Sequence, residues 1–217
     1  MNKIILVITF CAAILASGCA SQENIKELKS VEIREYNGEN LSSFIEVRDV
    51  SIKGPQKIDI STYRLEISGL VKEQRIYTYD QVINTHQKYQ KVVQINCVEG
   101  WKSINLWEGI LLKDIFDEVS LDPKAKTVIF YAYDGYSTSL PLDYIINKDI
   151  IIGYKINGVT LTPDIGYPFI LVAEDKWGYK WAKWITKIEI SDNQDFRGYW
   201  ESRGYSNDAD LNNSFFD

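Results

Sequence analysis

Apolar residues from Ile4 to Leu15 form an almost unbroken run, too short for a helix that spans a bilayer. Ser21 to Ser30 then turns polar and charged, the composition of a tether. Farther on, Tyr63-Arg64-Leu65-Glu66-Ile67 alternates and halts at Ser68-Gly69, which predicts a strand and a turn. Thr78-Tyr79-Asp80-Gln81 fits a capping box, so a short helix is expected through Lys88, burying Val82 and Ile83. Val92, Val93 and Ile95 make a strand that runs straight into Cys97. Leu111, Leu112, Ile115, Phe116 and Val119 recur at helical spacing, and Pro123 lies beyond that helix.

The second half reads mostly as strands. Thr127 to Tyr133 is β-branched and aromatic and stops at Asp134-Gly135. Asn157-Gly158, between Ile151–Ile156 and Val159–Leu161, is the strongest hairpin signal in the chain. Phe169 to Ala173 and Ile185 to Ile190 predict two more strands, and the residues past Ser191 are expected to wrap over the domain. Short helices among many strands, with no regular βαβ rhythm, predict an α+β domain of mixed sheets.

Composition adds a compartment. Lys3 precedes the apolar run, and Ala16-Ser17-Gly18 leads into Cys19. This tail resembles the lipobox of bacterial lipoproteins, in which the cysteine is lipidated and becomes the first mature residue; the alternative is an ordinary signal peptide cut near Ala20. The expected division is a lipoprotein signal peptide over 1–18, a tether over 19–45 and an oxidoreductase domain over 46–217. A membrane partner through the lipid on Cys19 and an extracytoplasmic location follow from the same residues. Lys+Arg 24 against Asp+Glu 30 gives −6, and removal of Lys3 leaves −7. That balance argues against nucleic acid and against a polybasic membrane face. Once Cys11 leaves with the signal and Cys19 is lipidated, Cys97 stands alone, and no intramolecular disulfide can form.

Several chemistries are excluded. His86 is the one histidine, expected on the polar, solvated side of its helix, so neither a serine triad nor a multi-histidine zinc site has its parts. Glycine-rich phosphate loops are missing, and no carboxylate pair stands out as general acid and base. Cys97 remains, at the end of an apolar strand. Alone it reads as a small buried hydrophobe or as a site residue.

Its surroundings favour a site. Asn96-Cys97-Val98-Glu99-Gly100-Trp101, followed by a Trp-x-Gly turn at Trp107-Glu108-Gly109, resembles the molybdopterin-binding domain of the sulfite oxidase family, nearest by motif to its bacterial methionine-sulfoxide reductases. Tyr63 to Val71 is similar to the strand that opens that domain. Gly166 to Val172 is similar to its Gly-x-Pro strand, Gly178 to Ile185 to its basic segment, and Gly198 to Ser206 to its close. The resemblance implies the sulfite-oxidase-type fold and a molybdenum–molybdopterin cofactor. It implies Cys97 as metal ligand and catalytic residue, with Asn96, Val98, Tyr179, Lys180 and Lys183 also at the cofactor. The implied reaction is oxygen-atom transfer on a sulfur-containing substrate such as a sulfoxide, with electrons exchanged through a separate redox partner. The family's sulfite-oxidising members surround the metal with arginines and no such arginine follows Cys97, which points away from sulfite; no dimerisation domain follows, which points to a monomer. A cofactor-free, ligand-binding lipoprotein on the same fold is the alternative. Arg48, Lys53 and Gln56 are candidates for a further cofactor loop.

Overall fold

The computed structural model describes residues 25–216; the apolar run, Cys11 and the lipobox with Cys19 lie outside them. The chain divides into two compact units, up to Glu32 and from Ile33 onward. The described part of the first is a helix, α1 (25–31). The second opens with a small antiparallel hairpin, β1 (Glu35–Tyr36) and β2 (Glu39–Asn40), then a single turn of 3-10 helix over Phe44–Glu46. Leu41 and Phe44 are buried and the Ser42 amide donates to the Ile104 carbonyl, so this unit starts at Ile33 rather than at 46. Residues 33–45, expected in the tether, are held by that burial.

One five-stranded sheet contains β3 (Leu65–Gly69), β4 (Arg75–Tyr77), β7 (Thr127–Ala132), β8 (Ser137–Pro141) and β12 (Ile185–Ser191), in the order β4-β3-β12-β7-β8. β12 runs parallel to β3 and antiparallel to β7. The other sheet contains β5 (Tyr89–Asn96), β6 (Lys102–Leu111), β9 (Ile151–Ile156) and β10 (Val159–Thr160), in the order β5-β6-β9-β10; β11 (Ile170–Val172) also pairs with β9. The alternation predicted for β3 buries Leu65 and Ile67, and β12 buries Ile188 and Ile190 beside them. At the β9–β10 turn, Asn157 and Gly158 take φ of 49° and 79°, the left-handed pair a tight hairpin needs.

Three short helices complete the domain: α2 (Tyr79–Thr85), α3 (Leu112–Val119) and α4 (Leu142–Asn147). Thr78 caps α2 in the expected capping box. The helix stops at Thr85, not Lys88, because His86 turns inward. Its Nδ1 lies 2.9 Å from the Val82 carbonyl, its ring packs edge-on against Tyr77, and its Nε2 lies 3.1 Å from a Glu118 carboxylate oxygen. The expectation of a solvated histidine is therefore corrected: the ring is buried, hydrogen-bonded at Nδ1 and with the Glu118 carboxylate close to Nε2.

Trp107-Glu108-Gly109, expected as a turn, lies inside β6, where the register against β9 shifts between Glu108 and Gly109. Gly109 is needed at this bulge, since a Cβ there would overlap the Ile152 carbonyl. The sheets thus frame one end of the domain, where the β5–β6 loop, the β7–β8 turn and the segment between β11 and β12 meet.

Candidate active site

Cys97 is the first residue after β5, at the tip of the β5–β6 hairpin. Its amide donates to the Trp101 carbonyl at 2.9 Å, and the Gly100 amide donates to the Cys97 carbonyl at 3.0 Å. This tight loop turns the amides of Val98 and Glu99 onto the sulfur. Burial pushes the Cys97 thiol up, and the Glu99 carboxylate adds to that. The two amides and the Arg48 charge pull the other way without cancelling it. The preformed amides favour a thiolate, while the apolar walls oppose one until a cation compensates.

The Cys97 side chain is 6% exposed and lines a cleft of about 200 Å³. Val50 and Ser51 close one side and Asp134 and Tyr136 of the β7–β8 turn another. Gly178, Tyr179, Trp181, Lys183 and Trp184 come from the segment between β11 and β12, and Trp200 and Tyr205 from the tail. A smaller recess beside Cys97 adds Arg48, Trp101 and Ile170. Gly178 lets two chain segments touch: a Cβ there would stand 3.2 Å from the Asn96 carbonyl oxygen and 3.5 Å from Cys97 Cα.

The expected site residues divide. Cys97, Val98, Tyr179 and Lys183 line the cleft together. Tyr179 is fixed at both ends, its hydroxyl donating to the Ser206 carbonyl at 2.8 Å and its own carbonyl accepting from Tyr136. Lys183 Nζ lies 2.5 Å from Asp49 Oδ1 and 2.5 Å from the Asp164 carbonyl. Burial pushes the Lys183 pKa down more than these acids raise it. Burial pushes Asp49 up, but hydrogen bonds and charge from Lys183, with help from Ser51, bring it below its ordinary range.

Lys180 is not brought to the cleft. It is fully buried, with Nζ 2.6 Å from Glu201 Oε1, 3.1 Å from the Ser139 carbonyl and 3.3 Å from Asn207 Oδ1. Asn96 lies just behind the wall, its Oδ1 accepting from Gln94 at 2.6 Å. Of the candidates for a further cofactor loop, Arg48 lines the smaller recess, and Lys53 and Gln56 line neither hollow; Ser51, Asp134 and Tyr136 line the cleft with no motif to announce them. Only the strand-ending Asp134-Gly135 was a signal, and it marked a turn rather than a site.

Two buried donors here have no partner among the described residues: Asn96 Nδ2 and Trp101 Nε1, both flanking Cys97. Unpaired buried N–H groups are costly, and a ligand rich in acceptors would satisfy them. No group of three or more His, Cys, Asp or Glu among the described residues is arranged to hold a metal. A single thiolate suits a metal whose other soft ligands are the cofactor's own sulfurs. The residues present therefore fit molybdopterin: Cys97 for the metal, these donors and Lys183 for its acceptor groups.

Residues 52–200 match the family described as the oxidoreductase molybdopterin binding domain. The chain is 31% identical over 152 residues to the uncharacterized oxidoreductase YuiH of Bacillus subtilis, covering 70% of this chain and 76% of that one. It is 28% identical over 149 residues to the protein-methionine-sulfoxide reductase catalytic subunit MsrP of Gluconobacter oxydans, covering 61% of this chain and 48% of that protein. The sulfane dehydrogenase SoxCD of Paracoccus pantotrophus shares the fold, with a TM-score of 0.64 at 18% identity over 83% of this chain and 54% of that one. The chain belongs to the oxidoreductase molybdopterin binding domain family, and it is a molybdopterin-dependent oxidoreductase of the sulfite oxidase type.

Proposed function

We propose that this protein reduces a small organic sulfoxide outside the cytoplasmic membrane, held there by a lipid on Cys19. The observation that carries the reading is Cys97 on the wall of a cleft rich in aromatic rings. Thioether sulfur makes favourable contacts with aromatic rings, so such walls suit the substituents of a sulfoxide. The name of the Gluconobacter relative points to the same chemistry. Per turnover a sulfoxide takes up two electrons and two protons and gives a thioether and water. The bound molybdenum group supplies the oxygen-atom exchange, and a separate redox protein supplies the electrons.

The chain's own residues bind and orient. Cys97 holds the metal as a thiolate, and the Val98 and Glu99 amides steady its charge. Lys183 holds an acceptor group of the cofactor, drawn from its pair with Asp49. Trp181, Trp184 and Trp200 keep bulk water from the sulfur substituents.

Cys97→Ser keeps the size but replaces a soft thiolate with a hydroxyl that does not ionise at neutral pH. Molybdenum content, sulfoxide reduction by a viologen donor and thermal unfolding are measured on protein from a molybdate-replete host. The wild type should hold molybdenum and turn over, and the variant should lose activity while still folding, with about 1–3 kcal/mol lost to an unsatisfied hydroxyl. A variant that keeps the wild-type rate removes Cys97 from the reaction. A wild type that holds molybdenum and reduces no sulfoxide overturns the substrate. The anchor is tested separately: fatty-acid labelling should mark the wild type, and equal labelling of Cys19→Ser would remove the lipid from the reading.

A further inference from the structure

The charges in the cleft are one-sided. Glu99, Asp134 and Lys183 are its charged lining residues. Lys183 is matched by Asp49 at 2.5 Å and also feels Asp164 and Asp134. Glu99 makes no ion pair among the described residues, and Asp134, 3% exposed, accepts from the Tyr136 amide at 2.9 Å and shares the field of Lys183 with Asp49 and Asp164. The opposing charge, Arg48, sits in the adjoining recess. A bound cofactor phosphate would add further negative charge. Tyr136, Trp200 and Tyr205 line the same cleft as these carboxylates. Aromatic faces and carboxylates together attract organic cations and repel oxyanions.

We propose that the cleft takes a sulfoxide bearing a positively charged nitrogen, and that Glu99 is the residue that selects it over anions. The inference rests on the sulfoxide reading above and names its substrate class. Glu99 is exposed in the hairpin-tip loop, so its charge reaches a substrate at the mouth without being needed for the fold.

Holoenzyme is assayed with three matched methyl sulfoxides whose tails end in an ammonium, a hydroxyl or a carboxylate. The kcat/KM ratio of ammonium to carboxylate should be about tenfold or more at low salt and should shrink as salt is added. In Glu99→Gln that ratio should fall at least threefold. An ammonium-to-carboxylate ratio near one in the wild type, or an unchanged ratio in Glu99→Gln, overturns the proposal. A second readout needs no turnover: tetramethylammonium should quench the tryptophan fluorescence of wild-type holoenzyme at millimolar concentration and Glu99→Gln more weakly, whereas acetate should not. Quenching without reduction of any sulfoxide keeps the cation site and rejects the reaction. Reduction of all three sulfoxides alike, without quenching, keeps the reaction and rejects the selection.

Discussion

The two lysines of the basic segment look interchangeable in the sequence and have opposite fates. Lys180 shares a fully buried site with Glu201, which also accepts from Thr138 at 2.5 Å. Lys180→Met would leave that buried carboxylate without its countercharge, and removing one partner of a buried pair costs about 3–5 kcal/mol. The melting temperature should fall steeply, and a Lys180→Met/Glu201→Leu pair should recover much of the loss, which thermal unfolding would measure. Lys183→Ala breaks a part-buried pair at the cleft wall and should cost less stability than opening the fully buried Lys180–Glu201 pair, so its main effect should appear as lower molybdenum content. Equal loss of stability in both single variants would contradict this division. The spacing of the lysines carried the basic segment. It could not carry the burial of Lys180, because the partner, Glu201, comes from the tail and the pairing exists only in three dimensions.

Elements were legible where their pattern was local. The strand into Cys97, the Asn157-Gly158 hairpin and the capped start of α2 each carry their signal within a few residues. β6 escaped because it is central, paired with β5 on one edge and β9 on the other, and it buries residues on both faces. β8 escaped because Ser137-Thr138-Ser139 reads as a loop. Its hydroxyls are instead used under the tail, Thr138 on Glu201 and Ser139 on the Phe196 carbonyl. The short 3-10 turn over Gly178–Lys180 is where elements meet at the site. Gly178→Ala would press a methyl group against the Asn96 carbonyl and Cys97 Cα, so the hairpin tip must shift by a few tenths of an ångström. Near-attack geometry tolerates little displacement. Activity and molybdenum occupancy should therefore drop severalfold while the melting temperature changes little; wild-type turnover in Gly178→Ala would place the tip away from the chemistry.

Across the whole molecule, aromatic residues bind the parts together and make the fold sensitive to alkali. Burial raises the Tyr63 and Tyr136 hydroxyls well above the ordinary 10, and Tyr79 is pushed up to about 12. The unfolded chain loses these protons first, so stability is intact below pH 10 and falls as pH rises above it. The slope is about 1.4 kcal/mol per pH unit for each such tyrosine while its folded form stays protonated. Unfolding should coincide with a jump in tyrosinate absorbance, and a smooth titration from pH 10 with no unfolding step would refute it. Sheet order was the part least legible in the sequence, because β12 lies parallel to β3 from the far end of the domain, and no local pattern encodes such a partner. That pairing also sets a timetable for the growing polypeptide. β5, which leads into Cys97, is synthesised before β12, whereas Trp200 and Tyr205, which finish the cleft, follow β12. A chain made only as far as β12 therefore has Cys97 without the cleft around it, and the cleft is complete only once the segment through Tyr205 has been added and has folded back.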